Sequence, residues 1–332
     1  MAHRALITGA PGFAGSYLAE HLLECGDSVL GCSPDGLWEK RSPQELRDRV
    51  ELVAWDLGSP EGISAEARRS IERFAPRWIF HLAALSVPVD CGSDQPTPEA
   101  GAVNVEGTRR VLELAGSLGG VVRVLFTSSS YVYGPVDRRS PRVDETAPLA
   151  PRRGYGRTKL AAEEEVRRAI DRKGCDAVIA RAFQHTGPRQ GPPMMLPEWA
   201  EQFARGGPEP IKVHTLNARI DLSDVRDVVR AYRLLAERGG RGEVYNVGSG
   251  TSRRTGDILD LLRSMADPDR PVVETRPGSK QDPIADTTRL VRATGWRATI
   301  PLEQTVADTL AWWRRQVSQG GKQRPPGEEI ES

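Results

Sequence analysis

Short apolar runs of strand type recur along the first half of the chain, at Ala5–Thr8, Ser28–Cys32, Val50–Trp55, Trp78–Leu82, Val122–Thr127 and Ala177–Arg181. Between several of them the apolar positions fall three and four apart, a period that predicts helices at Phe13–Cys25, Ser64–Phe74, Gly107–Ser117 and Thr158–Arg172. Strands alternating with helices need crossover connections, and right-handed crossovers build a doubly wound parallel sheet of the α/β class. After Arg181 the texture changes. Residues 186–197 carry Gly-Pro-Arg-Gln-Gly-Pro-Pro and Leu-Pro, a loop composition, before a predicted helix at Glu198–Arg205. Residues 1–182 together with 224–248, which include the strand Glu243–Val247, are expected to form the sheet domain. Residues 183–223 and 249–318 are expected to form a smaller, discontinuous C-terminal lobe. Residues 319–332 have almost no apolar content and are expected to be a disordered tail.

Length and charge narrow the class. The 332 residues suit one large α/β unit with an appended lobe. Lys and Arg number 46 against 45 Asp and Glu, a net charge of +1 that gives no electrostatic case for nucleic acid or an anionic membrane and points to small-molecule chemistry. Cys25, Cys32, Cys91 and Cys175 make neither a CxxC pair nor a cluster of metal-ligand spacing, so no metal is expected and the thiols read as reduced. No run of membrane length and no signal-type start is apparent, which places the expectation in the cytoplasm.

Candidate chemistry gathers at one edge of the expected sheet. Thr8-Gly9-Ala10-Pro11-Gly12-Phe13-Ala14-Gly15 lies between the first strand and the first helix. There Gly9 permits a tight turn, Gly12 lets a pyrophosphate approach the backbone, and Gly15 lets helix and strand pack closely. The free amides at the helix start then receive phosphates, which makes the sheet Rossmann-type. His81-Leu82-Ala83-Ala84, Ser128-Ser129-Ser130 and Phe183 to Gln190 also follow strands, at the carboxyl edge where such folds bind ligands. Tyr155 and Lys159, four apart, share a helix face, so the ammonium can favour phenolate and draw a phenol from near ~10 toward working pH. Taken singly each motif has a plainer meaning: a half-buried ring beside a solvated amine, a glycine-rich connection, or serines that cap backbone groups. Their common edge argues for one site.

These motifs resemble the extended short-chain dehydrogenase/reductases, the NAD(P)-dependent epimerase/dehydratase group acting on nucleotide-sugars. The resemblance runs through TGAPGFAG, Asp56-Leu57, HLAA at 81–84, Asn104-Val105-Glu106-Gly107-Thr108, SSSYVYG at 128–134, YGRTK at 155–159 and TGW at 294–296. It implies a dinucleotide cofactor held by Gly9, Pro11, Gly12, Phe13, Ala14 and Gly15, with Ser33 at the ribose and Asp56 and Leu57 at the adenine. Leu82, Ala83, Ala84 and Thr127 would line its channel. It makes Tyr155 the catalytic acid/base, Lys159 the group that lowers its pKa and holds the nicotinamide ribose, and Ser129 the hydroxyl that shares the substrate oxygen. Substrate contacts are expected at Ser86, Ser130, Tyr131, Gln184 and His185. The guanidinium forks of Arg189, Arg219 and Arg276 are expected on its diphosphate.

The local match is to the GDP-4-keto-6-deoxymannose reductases, over residues 180–190, 224–232 and 244–250. Three positions depart from that pattern: Gln184 replaces an Asn, Ile220 stands where an Arg is expected beside Asp221, and Tyr131 stands in an acidic place. Without that carboxylate, removal of a C5 proton and hence dehydration is disfavoured. Reduction of a 4-keto nucleotide-sugar leads. A 4-epimerase with tightly held NAD⁺ and a non-catalytic dinucleotide-binding relative are the alternatives. The second strand ends at Ser33 rather than an acid, Asp35 lies in a Ser-Pro-Asp-Gly turn, and Lys40 and Arg41 follow, so NADP is expected, with NAD possible. The resemblance also implies a homodimer through the helices at Gly107–Ser117 and Thr158–Arg172. Their apolar positions, Val111, Leu112, Leu114, Ala115, Leu160, Ala161, Ala162, Val166 and Ala169, read as more than one sheet face needs.

Overall fold

The structure, a computed structural model, describes residues 2–320. The first part of the chain runs β1 (Arg4–Thr8), α1 (Phe13–Glu24), β2 (Ser28–Ser33), α2 (Gln44–Arg49), β3 (Leu52–Ala54), α3 (Ala65–Phe74), β4 (Trp78–His81), α4 (Pro98–Gly101), α5 (Gly107–Ser117) and β5 (Arg123–Ser129). It continues through β6 (Arg142–Val143), α6 (Gly154–Lys173), β7 (Asp176–Ala182), β8 (Gln184–Thr186), α7 (Met195–Arg205), β9 (Ile211–Val213), β10 (Asn217–Asp224), α8 (Val225–Arg238) and β11 (Val244–Val247). The last part holds β12 (Ser252–Arg254), α9 (Thr255–Ala266), β13 (Val272–Glu274), β14 (Ser279–Gln281), β15 (Ile284–Ala285), α10 (Thr288–Thr294) and α11 (Leu302–Gly320).

Continuous apolar strands such as Val124-Leu125-Phe126 can be buried on both faces only inside a parallel sheet covered by helices. They build a seven-stranded sheet in the order β11-β7-β5-β4-β1-β2-β3, with every neighbouring pair parallel. The order reverses between β1 and β4, and that switch point opens a crevice at the strands' carboxyl ends. One face packs α1 and α8 through Leu18, Leu22, Val228 and Tyr232; the other packs α3, α5 and α6 through Ile71, Val111, Leu114 and Val166. A smaller sheet, β12-β10-β14 with β8 also on β10, packs on α7, α9 and α11 through Trp199, Phe203, Leu222, Leu262 and Trp313.

The predicted strands and helices are present, with boundaries that shift for local reasons. The third strand shortens from Val50–Trp55 to Leu52–Ala54. α6 starts at Gly154 rather than Thr158, because a Cβ there would stand 2.0 Å from the Cys91 carbonyl oxygen, so only glycine lets the helix begin against that loop. Tyr155 therefore sits in the helix's first turn. α7 starts at Met195 rather than Glu198, since Pro197 falls in the first turn, where its missing N–H costs no hydrogen bond. The expected tail is helical through Gln319 and Gly320, and the rest of it, 321–332, lies outside the described residues.

Two buried polar assemblies fix the crevice floor. The His81 ring bridges Thr8 Oγ1 at 2.7 Å and Thr108 Oγ1 at 3.0 Å, while Thr108 donates to the Asn104 carbonyl. That makes Nε2 the donor and Nδ1 the acceptor, a neutral ring, and burial holds its pKa down at about 3. The second assembly is an ion pair, each side chain 1% exposed, in which Arg181 grips both Glu163 oxygens at 2.8 Å and Ser128 donates to Glu163 at 2.6 Å.

Candidate functional site

Gly9 turns the chain out of β1 with φ +72°, and its missing Cβ leaves room for the Ala83 backbone, which would be 2.9 Å away. A Cβ on Gly15 would lie 2.1 Å from the Gly9 carbonyl oxygen, so the loop closes on the start of α1 only because both are glycine. The first helical hydrogen bond is from the Ser16 amide to the Gly12 carbonyl, which leaves the amides of Phe13, Ala14 and Gly15 pointing out of the helix end. They open into a cleft of about 960 Å³ between the sheet edge and the smaller sheet. Such a helix end suits a pyrophosphate, and the cleft is at the upper end of the size range of small-molecule sites.

Most of the expected site residues come together on this cleft. Gly9, Pro11, Gly12, Phe13, Ala14, Gly15, Leu82, Ala83, Ala84, Ser86, Thr127, Ser129, Ser130, Tyr131, Tyr155, Lys159, Gln184, His185, Arg189 and Arg276 all line it. Ser33, Asp56, Leu57 and Arg219 do not. Ser33 is buried at the end of β2 and donates to Asp35 Oδ1 at 3.2 Å; the Asp35 carboxylate also accepts the Leu37 amide at 3.0 Å, the local turn expected of it. Asp56 is exposed and caps the Gly58 amide at 2.8 Å, while Leu57 is buried.

Tyr155 and Lys159 are neighbours, yet they are not arranged as their spacing suggests. The Lys159 ammonium donates to the Thr127 carbonyl at 2.9 Å, and burial lowers its pKa to about 8. Burial drives the Tyr155 phenol above the usual tyrosine range, with hydrogen bonding to Ser129 lowering it in part. Desolvation of the neutral-preferring phenol outweighs any help from the ammonium, so Tyr155 rests as a protonated donor. Tyr131 packs edge-on against it, 5.9 Å between ring centres, and offers no carboxylate.

Of the three expected phosphate-gripping arginines, one is engaged elsewhere and one faces away from the cleft. Arg189, in left-handed backbone at φ +70°, forks onto Glu20 of α1 at 2.7 and 2.6 Å and lies 3.5 Å above the Tyr17 ring centre. Tyr17 in turn donates to the Pro188 carbonyl at 2.9 Å, and His185 stacks on Phe13. Arg189 thus ties the loop after β8 to α1. Arg219 is exposed on β10; strand alternation turns Ile220 to the cleft and Arg219 away from it. Arg276 remains at the rim.

The structure gives contacts to residues that the sequence named without a contact, Asn104 and Arg41, and adds Lys280 and Asp282. Asn104, in a π-helical segment at Ala102–Glu106, accepts from the Leu85 amide at 2.8 Å and donates to the Leu85 carbonyl and to Thr158 at 3.0 Å. It thereby joins the loop after β4 to α6; the Asn104–Thr108 motif was the signal in the sequence. Arg41, from the segment after β2, lines the cleft beside Gly191 and lies 5.8 Å from the Trp313 ring centre. Asp282 and Lys280 enter from beside β14, with no signal in the sequence beyond their charge.

The chain is similar to known proteins over nearly its whole length. The family described as "NAD dependent epimerase/dehydratase family" matches residues 5–248. A UDP-glucose 4-epimerase of Mycolicibacterium smegmatis is 30% identical over 319 residues, covering 94% of this chain and 98% of that protein. A GDP-6-deoxy-D-mannose reductase of Pseudomonas aeruginosa is 26% identical over 325 residues, covering 96% and 99%. The solved structure of RMD from Pseudomonas aeruginosa complexed with NADPH is similar with a TM-score of 0.77 at 25% identity, covering 95% of this chain and all of that one.

Proposed function

This chain belongs to the NAD-dependent epimerase/dehydratase family, and on that premise we propose that it reduces the 4-keto group of a 6-deoxy nucleotide-sugar, as a GDP-4-keto-6-deoxymannose reductase does. The observation that carries this reading is the half-buried Tyr155 phenol beside Ser129 on one cleft wall, where burial raises its pKa and keeps it a proton donor. A protonated acid is what carbonyl reduction consumes. When bound, the cofactor supplies the hydride that forms the new C–H bond. The carbonyl π pair moves onto oxygen, Tyr155 donates its proton there, and Ser129 polarises the same oxygen. Gly9, Gly12, Gly15 and the amides of α1 would hold the pyrophosphate, and the adenosine end would lie toward the strand ends that carry Ser33, Asp56 and Leu57, which stand outside the cleft lining. In this reading residues 1–182 with 224–248 carry the dinucleotide, and residues 183–223 with 249–318 carry the nucleotide-sugar.

The cofactor we propose is NADPH. Asp35 is used by its own turn, no acid ends β2, and Arg41, which has no carboxylate partner among the described residues, lines the cleft wall within reach of a 2′-phosphate. Titration with both cofactors decides the matter, and NAD binding tenfold tighter, about 1.4 kcal/mol, overturns it. The family description names NAD and one similar structure carries NADPH. For the reaction, the purified chain is offered a panel of nucleotide-sugars and 4-keto intermediates, with NMR of the products. Stoichiometric consumption of NADPH supports the reductase. Turnover without added cofactor by a protein that purifies with it bound supports the second reading, a 4-epimerase, which the similarity to the Mycolicibacterium enzyme favours. A chain that binds cofactor and turns over none of the panel fits a non-catalytic relative.

We further propose a cytoplasmic homodimer. No helix among the described residues is long and apolar enough to cross a membrane, and the four cysteines are unpaired. Contrary to the expectation of spare apolar surface, Val111, Leu112, Leu114, Ala115, Ala162, Val166 and Ala169 are all buried within this chain. Leu160 packs against the cluster of Val132, Tyr133 and Phe183 of the same chain, so what remains for a partner on α6 is half-buried Ala161.

A further inference from the structure

At the lobe side of the cleft, Gln184 of β8 donates its amide Nε2 to Asp282 Oδ2 at 3.1 Å. Lys280 holds the same carboxylate, with Nζ 2.9 Å from Oδ2 and 2.8 Å from Oδ1. All three residues line the cleft, and Ile220, on the strand that pairs with β8, lines it beside them. A carboxylate accepts and does not donate, so the Gln184 amide has one permitted orientation: NH₂ toward Asp282, carbonyl oxygen away from it. Among the described residues that carbonyl oxygen has no donor. The neighbouring charges, Asp282 and Lys280, cancel, and Ile220 contributes none. Phosphate oxygens are acceptors as well, and an amide carbonyl beside a carboxylate repels them.

We infer that Gln184 and Asp282 form an acceptor subsite that takes an O–H or N–H donor of the substrate, a sugar hydroxyl or amino group, and that the diphosphate lies elsewhere, toward Arg276. This rests on the nucleotide-sugar reading and makes it narrower. It also gives the Gln184 and Ile220 departures one joint meaning: with one amide N–H spent on Asp282, the Gln184 carbonyl oxygen turned to the cleft, and Ile220 in place of a cation, this wall selects the sugar and not the phosphates.

The test is calorimetric, on the full chain saturated with NADP. Dissociation constants are measured for GDP against GDP-mannose and for UDP against UDP-glucose, and the ratio within each pair reports the sugar's own contribution. Gln184→Leu is expected to cut that ratio roughly tenfold, the worth of one hydrogen bond to a ligand, with the bare nucleotide unchanged within about twofold. Asp282→Asn, which releases the Gln184 amide, is expected to lower the ratio in the same sense, and unchanged melting of both variants separates the effect from misfolding. Equal weakening of nucleotide and nucleotide-sugar in Gln184→Leu makes Gln184 a phosphate ligand and overturns the inference, as does an unchanged ratio. If the unmodified chain binds none of the four compounds, the nucleotide-sugar reading itself fails and the subsite falls with it.

Discussion

At the scale of single residues, burial does more than neighbouring charge. Tyr155 is raised and Lys159 lowered by the same desolvation, so their protonation states are set by the crevice and not by each other. Tyr155→Phe keeps the packed ring and removes the proton; turnover should fall by roughly 10²–10⁴ while the cofactor dissociation constant barely moves. Lys159 gives a pH signature. The proposed reading needs its ammonium beside the cofactor, so kcat/KM should decline as pH rises through about 8. Its stability linkage has the opposite sense. In the unfolded chain the amine titrates near 10.5 and in the fold near 8, so the unfolded state binds more protons between those values and wild-type stability rises with pH there. Lys159→Met should therefore be more stable than wild type at pH 7, by at most about 3 kcal/mol less the lost Thr127 hydrogen bond, and the gain should vanish toward pH 10. Thermal melts across that range check the sign.

Among elements, α1 is located at its start and at its middle. Its start is pressed against β1 by Gly9 and Gly15, and its middle is held by Arg189 and Pro188 through Glu20 and Tyr17. Gly15→Ala drives a methyl into the Gly9 carbonyl, and cofactor binding should weaken more than tenfold in a titration. Arg189→Ala, expected from sequence to raise the substrate KM, should instead lower the melting temperature and cofactor affinity, because the guanidinium serves Glu20 and the Tyr17 ring. An isolated rise in substrate KM would restore the phosphate role.

For the molecule as a whole, the sheet is bound across its layers by the Glu163–Arg181 pair. Removing one partner, as in Glu163→Ala, strands a buried guanidinium and should cost about 3–5 kcal/mol in denaturant unfolding. Assembly is read by light scattering: twice 36.4 kDa supports the dimer, and a mass near 36.4 kDa rejects it. Ala162 is fully buried, so Ala161→Arg is the substitution that can break an interface without breaking the fold.

Periodicity, glycine spacing and the order of motifs, all local in the chain, determined the parallel sheet, the turn after β1 and the membership of Ser129, Tyr155 and Lys159 in one site. Local sequence carries these because strand and helix periods, and the steric freedom of Gly9 and Gly15, act over a few residues. Tertiary structure alone decided what the charged groups do. Arg189 met Glu20 169 positions away, Gln184 met Asp282 98 positions away, and Arg219 lost the cleft to Ile220 by the alternation of β10. Burial, which moves Tyr155 and Lys159 in opposite directions, is likewise a property of the packed whole. A guanidinium or amide reads the same in any sequence, and only the partner that folding brings to it fixes whether it binds a ligand or holds the fold.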